Sequence, residues 1–155
     1  MTPTAGITYN SQHSYTDKGW YLTGAAPSSP TPKRVLVTVP YRDHAIDFSR
    51  ALDGKTHFES RELTYQFARQ FRNDYQRELA VDDFTTWLWS IQGAWLHDDT
   101  LGAHGYWYDV CVTAVEVTTN PLGQLVTVDV TATAFPYRAA SNDAPPDNLL
   151  SGWVL

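Results

Sequence analysis

Apolar and polar residues alternate most regularly between Arg61 and Arg72. A period of two is typical of a strand with one buried face, so this segment is predicted to be a long strand. A shorter alternation precedes it and stops at Pro40, which lacks a backbone N–H and therefore ends a strand or confines it to a sheet edge. The apolar positions are Val35, Val37, Val39, Leu63, Tyr65, Phe67 and Phe71.

The second half of the chain contains two further long alternations, at 106–118 and 125–135. The turn-forming segment 120–123, Asn-Pro-Leu-Gly, lies between them, so the pair is predicted to be an antiparallel hairpin. Alternate Val and Ala residues predict one buried face of the second strand, and its Thr residues predict a solvent-facing side. Short strands are also predicted at 7–9 and 19–23, with a Pro- and Ser-containing loop at 24–32.

One helix is predicted between Asp82 and Gly93, with an earlier start near Tyr75 as an alternative. Asp82 or Asp83 suits a helix N-terminus and Gly93 a left-handed stop. One apolar stripe is predicted to pack on the sheet; it comprises Phe84, Trp87, Leu88, Ile91 and Trp95. The whole pattern predicts an α+β domain, mainly antiparallel and β-sandwich-like, with one helix packed across it.

Two regions are predicted to contact other subunits. Trp89 lies off the apolar stripe of the helix and is a candidate interface residue. Residues 1–138 form the predicted domain, whereas 139–155 form a Pro-containing linker and an apolar tail. Because an exposed apolar end is unfavourable, the tail residues Trp153, Val154 and Leu155 are predicted to dock, either on their own domain or on a neighbouring subunit.

Composition narrows the possible functions of this 155-residue chain, whose length suits a single domain. A net charge of −6 argues against a dedicated nucleic-acid-binding module, which needs a basic face. With one cysteine no intrachain disulfide is possible, and no apolar run favours membrane insertion or a signal peptide. Aromatic residues make up 14%, which suits a dense core, subunit contacts or stacking platforms for sugars.

No catalytic constellation stands out. His97, Asp98, Asp99 and His104 are potential metal ligands, but their spacing matches neither a zinc nor a calcium site, so a solvated hairpin tip is predicted. Asp43 and Asp47 are predicted to bind their own backbone rather than to act as paired carboxylates. We therefore predict no catalytic residue, no metal site, no cofactor and no enzymatic activity.

The order of these segments resembles the N-terminal domain of phage distal tail proteins. The resemblance rests on residues 9–19 at the opening strand and turn, the loop 40–49, the strand from Arg61 to Phe67, the Trp-rich helix and the Tyr106–Tyr108 strand, and it covers roughly residues 6–138. Two positions differ from the family pattern, since Ser11 and His44 stand where the family usually has Gly.

The resemblance implies a structural virion protein. Distal tail proteins form hexameric rings at the tail tip and join the tail tube to the baseplate or receptor-binding machinery, after assembly in the host cytoplasm. The implied partners are copies of the chain itself, the tail tube protein and the tail-tip proteins. The acidic charge and the lack of a long apolar run predict no nucleic-acid or membrane partner. Because the chain is short, it resembles a ring-only version of the family. Alternatives are a monomeric carbohydrate-binding β-sandwich, or another ring or tube component of a tail-like machine.

Overall fold

The computed structural model describes residues 4–50, 54–146 and 152–155. The described elements are β1 (Ile7–Tyr9), β2 (Gln12–His13), β3 (Tyr21–Pro27), β4 (Leu36–Val37), β5 (Ile46–Asp47), β6 (Arg61–Gln70), α1 (Asp74–Trp89), β7 (Gln92–Asp98), a 3-10 helix (Asp99–His104), β8 (Tyr106–Thr119), β9 (Leu125–Ala134), β10 (Arg138–Ala139) and β11 (Trp153–Val154). The three longest strands, β6, β8 and β9, are the ones that the alternating patterns predict.

One antiparallel sheet carries most of the described strands, in the order β2-β1-β7-β8-β9-β6-β3, with β10 paired to both β8 and β11. The predicted hairpin is confirmed as β8 and β9, and β6 pairs along its whole length with β9 from Arg61↔Ala134 to Gln70↔Leu125. β4 and β5 form a separate two-stranded ribbon. The predicted fold class, α+β and mainly antiparallel with one packed helix, is confirmed.

The core lies between the sheet and α1. Leu63, Tyr65 and Phe67 are buried as the alternation of β6 predicts, and the Val and Ala face of β9 is buried with them. Aromatic rings fill the space beneath the helix: Phe84 stacks on Trp20 at 4.8 Å between ring centroids and meets Phe67 edge-on at 5.1 Å. Large aromatic groups bury much apolar area, so this cluster is the main anchor of the helix.

The helix begins at Asp74, as the alternative start near Tyr75 indicated, and the start at Asp82 is wrong. Asn73 is the N-cap, since its side chain accepts hydrogen bonds from two backbone N–H groups of the first turn. Asp82 and Asp83 are interior helical residues. The helix ends at Trp89, and Gly93, with φ of 70°, belongs to β7 instead.

Three strands differ from the sequence prediction. β7 was not predicted, and it contains Trp95, which was assigned to the helical stripe. β3 extends to Pro27 through the predicted loop, with an irregular pairing between Leu22 and Gly24. In β8, Asp109 has φ of 53°, so the side chains change parity there and Trp107, Val110 and Val112 are the buried ones.

Candidate interface surfaces

The outer face of α1 carries exposed apolar residues. Tyr75 is 70% exposed, Leu79 53% and Trp89 46%. At 3.6 residues per turn these three positions share one side of the helix, opposite Phe84, Trp87 and Leu88 in the core. We call this set the outer stripe. Trp89 is thus exposed, as its position off the buried stripe predicted.

Acidic side chains border the outer stripe. Asp83 forms an ion pair with Lys18 at 3.2 Å and Asp74 forms one with Arg77 at 3.0 Å. For Glu78 and Asp82, which are also exposed, no ion pair is found with any residue that the structure describes. The outer stripe therefore carries two uncompensated negative charges: Asp82 lies between Leu79 and Trp89 on the same side of the helix, and Glu78 lies at its border.

A second exposed apolar surface lies on residues 33–50, which we call the arm. Its strands β4 and β5 pair with each other through Leu36↔Asp47 and Val37↔Ile46. At the base of the arm, Phe48 N–H donates to the Val35 carbonyl at 2.7 Å. Most side chains of this ribbon contact solvent, and its exposed large apolar residues are Val35, Leu36, Val37, Tyr41 and Phe48.

Asp47 stabilises the turn into the arm. Its carboxylate accepts a hydrogen bond from Ser49 N–H at 2.9 Å and pairs with Arg34 at 3.0 Å. The Ser49 hydroxyl first, then its backbone N–H, and also Arg34 hold the pKa of Asp47 below its ordinary value. Asp47 binds the backbone of its own loop, which confirms the prediction for this residue; the prediction for Asp43 stays a prediction.

The arm is basic although the chain is acidic. Lys33, Arg34, Arg42 and Arg50 outnumber Asp43 and Asp47, so the arm has a formal charge of +2 and the rest of the chain, at −6 in total, has −8. The arm therefore attracts acidic surfaces, and the rest of the molecule attracts basic ones.

A third surface is an aromatic cluster on the sheet face away from α1. Leu96, Trp107 and Ala134 point into the core, so their strand neighbours point outward. Successive ring centroids within this cluster lie 4.9 to 6.5 Å apart. All its rings are partly exposed; the members are Phe58, Trp95, Tyr106, Tyr108, Phe135, Tyr137 and Trp153.

The apolar tail packs against this cluster within its own chain. β11 pairs with β10 through Ala139↔Trp153 and Arg138↔Val154. The Trp153 ring lies 5.9 Å from Trp95 and 5.7 Å from Phe135. Trp153 and Val154 keep partial exposure, and Leu155 is 37% exposed. Of the predicted linker, 147 and 148 lie outside the described residues, as do tail residues 149–151.

A cleft of about 610 Å³ opens beside Trp95. One wall is the turn between β1 and β2, where Asn10 and Ser11 both have positive φ. A turn with two positive-φ residues matches the twist of a hairpin, so Ser11 adopts the backbone that Gly usually supplies. His97, Tyr106 and Asn142 complete a largely polar lining beside the aromatic rings.

The segment around Asp98 is not the solvated tip that the sequence predicted. Asp98 is only 1% exposed; its carboxylate accepts hydrogen bonds from the Tyr65 hydroxyl at 2.9 Å and the Thr100 hydroxyl at 2.6 Å. Burial, followed by the charge of Asp98, raises the pKa of Tyr65 well above its ordinary value. Both residues join the end of β7 to β6.

Asp99 connects this segment to the N-terminal strand. It lies 2.7 Å from His13 Nε2 and 3.0 Å from His97 Nδ1, and it accepts a hydrogen bond from Gly6 N–H. These bonds orient the β1 end of the sheet. Among the described residues no group of three or more His, Cys, Asp or Glu is arranged to hold a metal ion, and no helix there is long and apolar enough to cross a membrane.

Sequence reasoning did not find two of the three surfaces. Val35 and Val37 show the alternation of a half-buried strand, so their exposure has no sequence signal. Tyr75 and Leu79 lie in the turn that the predicted helix start omitted. Their spacing with Trp89 on one helical face is the signal that would have identified the outer stripe.

No protein-family model matches the chain, and no curated protein matches it. Two solved structures show a weak similarity to the chain. One is a chain of the virion of a native gene transfer agent particle, with 12% identity and a TM-score of 0.43, covering 84% of this chain and 90% of that chain. Another is a chain of the tail of an empty gene transfer agent particle with C6 symmetry, with 14% identity and a TM-score of 0.39, covering 73% of this chain and 76% of that chain.

Proposed function

We propose that this protein is a structural subunit of a phage-type tail that self-associates into a closed, hexameric ring at the tail tip. The observation that carries the proposal is the presence of separate exposed apolar surfaces, the arm and the outer stripe, on one small chain. Large exposed apolar areas are unusual on a monomer and mark contact sites. The sequence resemblance to distal tail proteins indicates a phage tail as the particle in which such a contact would form.

Two different surfaces suit a ring better than a two-fold dimer. In a ring each subunit contacts its neighbours through two unlike patches, whereas a two-fold dimer uses the same patch twice. The arm is basic and the outer stripe has acidic borders, so neither complements itself. The aromatic cluster then remains available for the tail tube or the tail-tip proteins, in a virion assembled in the host cytoplasm.

Light scattering on a gel-filtration column tests the ring directly. Chains of 17.5 kDa in a hexamer give a mass of about 105 kDa, which we expect at high protein concentration. Dilution should return the 17.5 kDa species through a concentration-dependent equilibrium. A constant monomer mass across the whole concentration range would contradict self-assembly.

The cleft beside Trp95 favours a second function, carbohydrate binding. Sugars bind proteins through stacking on aromatic faces and hydrogen bonds to polar side chains, and Trp95 and Tyr106 lie beside Asn10, His97 and Asn142 in this cleft. This function needs no oligomer. The protein would then act as a surface-binding module.

A glycan microarray probed with the monomer tests this second function. Binding that disappears in Trp95→Ala, but persists in the control Trp89→Ala on the far side of the sheet, would establish the cleft as a sugar site. Absence of binding by the wild-type protein across the array would exclude it for the sugars present.

A further inference from the structure

We propose that the arm of one subunit binds across the outer stripe of α1 of the next copy. The inference rests on the proposed self-association and names the contact that would produce it. It follows from three properties of the two surfaces: their apolar side chains, their dimensions and their charges.

Both surfaces expose apolar groups that no described residue of the same chain covers. The arm offers Val35, Val37 and Tyr41, and the outer stripe offers Tyr75, Leu79 and Trp89. Because all of them are exposed in the single chain, the arm does not fold back on its own helix. Burial of apolar surface stabilises an interface by about 25 cal/mol per Å², so these groups favour contact with another copy.

The dimensions of the two surfaces agree. The outer stripe extends from Tyr75 to Trp89, a length of about 21 Å at the rise of an α-helix. A fully extended segment as long as residues 33–39, whose centre Leu36–Val37 is a strand, spans roughly 20 Å. One edge of the arm therefore matches the helix from its first turn to its last.

The unpaired charges of the two surfaces are opposite. Lys33 and Arg42 are exposed on the arm, and Glu78 and Asp82 are exposed beside the outer stripe. Within the described part of the chain none of these four side chains forms an ion pair. Each copy thus carries an excess of positive charge on the arm and unpaired acids at the outer stripe, which favours a head-to-tail contact between copies.

Charge reversal and its compensation test this contact. The variant pair Lys33→Glu and Arg42→Glu, or the pair Glu78→Arg and Asp82→Arg, should raise the dissociation constant of the oligomer at least about tenfold, because two attractions become repulsions. A chain carrying all four substitutions should recover assembly, since the two surfaces are again opposite in charge. Salt at roughly 1 M, where the screening length is about 3 Å, should weaken wild-type assembly.

The matched control reverses two acids elsewhere. Glu116→Arg with Asp143→Arg changes the net charge by as much as the helix pair, and both residues are exposed outside the arm and the helix. This control should assemble like the wild-type protein. Circular dichroism of each variant checks its fold, and Leu79→Ser provides an uncharged change that should also weaken assembly.

The outcomes separate this contact from the ring itself. A wild-type oligomer that persists in both reversed pairs and in Leu79→Ser overturns the arm–helix contact and leaves self-association intact. A wild-type protein that is monomeric at every concentration overturns both. Loss of assembly in each reversed pair with recovery in the fourfold variant supports the contact, since a folding defect would not be repaired by further substitutions.

Discussion

At the scale of single residues, Tyr65 and Asp98 form a buried, hydrogen-bonded polar pair. A carboxylate that is 1% exposed must be hydrogen-bonded, and Tyr65 is one of its donors. The pair joins β6, near the middle of the sheet, to the end of β7. Loss of the Tyr65 hydroxyl would leave Oδ2 of Asp98 without its donor in an apolar environment. An unpaired buried acceptor costs more free energy than the hydrogen bond itself contributes.

We expect Tyr65→Phe to lower the free energy of unfolding by about 1–3 kcal/mol. Urea unfolding followed by fluorescence measures this change. Tyr9→Phe is the matched control, because its hydroxyl donates to the Ser90 carbonyl at an exposed position and water can replace it. An equal effect of the two substitutions would contradict the importance of burial.

The raised pKa of the Tyr65 hydroxyl predicts that the folded protein loses stability at alkaline pH. Because the folded-state pKa of Tyr65 is raised, its contribution is fully present below the ordinary tyrosine pKa near 10 and is lost as pH rises above that value. Urea unfolding from pH 8 to 11 should therefore show a steeper decline for the wild-type protein than for Tyr65→Phe. Parallel curves for the two proteins would refute this assignment.

At the scale of elements, the packing residues of the helix could be predicted from the sequence, whereas its start could not. Its packing residues Phe84, Trp87 and Leu88 follow the helical period and were predicted correctly. Its start was not, because Asp82 and Asp83 look like N-terminal acids and because apolar residues occupy both helix faces. Only the tertiary fold decides that Leu79 faces solvent and Phe84 faces Trp20.

The strands of the sheet likewise divide into those that the sequence predicts and those that it does not. β6, β8 and β9 are long and periodic, so their alternation identified them, whereas β7 is short and irregular in its pairing with β8. The candidate site was less predictable: Trp89 was identified from one face of the helix, but the exposure of the arm depends on how the whole chain folds. Alternation alone cannot distinguish a ribbon in solvent from a strand on a core.

The helix N-terminus provides a test at this scale. Asn73→Ala should lower the free energy of unfolding by about 1 kcal/mol, because two backbone N–H groups lose their acceptor. Asn73→Asp should keep most of the wild-type stability, since its carboxylate accepts the same hydrogen bonds and interacts favourably with the positive end of the helix dipole. Thermal unfolding of the three proteins measures this; equal destabilisation by Ala and Asp would argue against capping.

At the scale of the whole molecule, the C-terminal strand closes the aromatic cluster. Trp153 bridges rings contributed by β7, β8 and the segment after β9. The tail can dock on its own domain or on a neighbouring subunit, and the two alternatives predict different stabilities for the monomer. Contacts within one chain stabilise a monomer, whereas contacts between chains stabilise only the oligomer.

We expect Trp153→Ala to destabilise the monomer by roughly 1–3 kcal/mol, below the full cost of a buried Trp because the ring is partly exposed. Chemical unfolding at a concentration where light scattering gives 17.5 kDa isolates this effect. Leu122→Ala is the control, since Leu122 is 77% exposed in a turn. An effect of Trp153→Ala that is confined to the oligomer would assign the tail to a neighbouring subunit.

The irregular strand β3 has a consequence for colloidal behaviour. It forms one border of the main sheet, where a long flat strand would template amyloid-like stacking with other chains. The break in pairing after Leu22 and the terminal Pro27, which cannot donate a ladder bond, disrupt that template. The opposite border, β2, has only two residues. Concentrated solutions of the protein should accordingly resist fibril formation, and association would be governed by side chains rather than by backbone ladders.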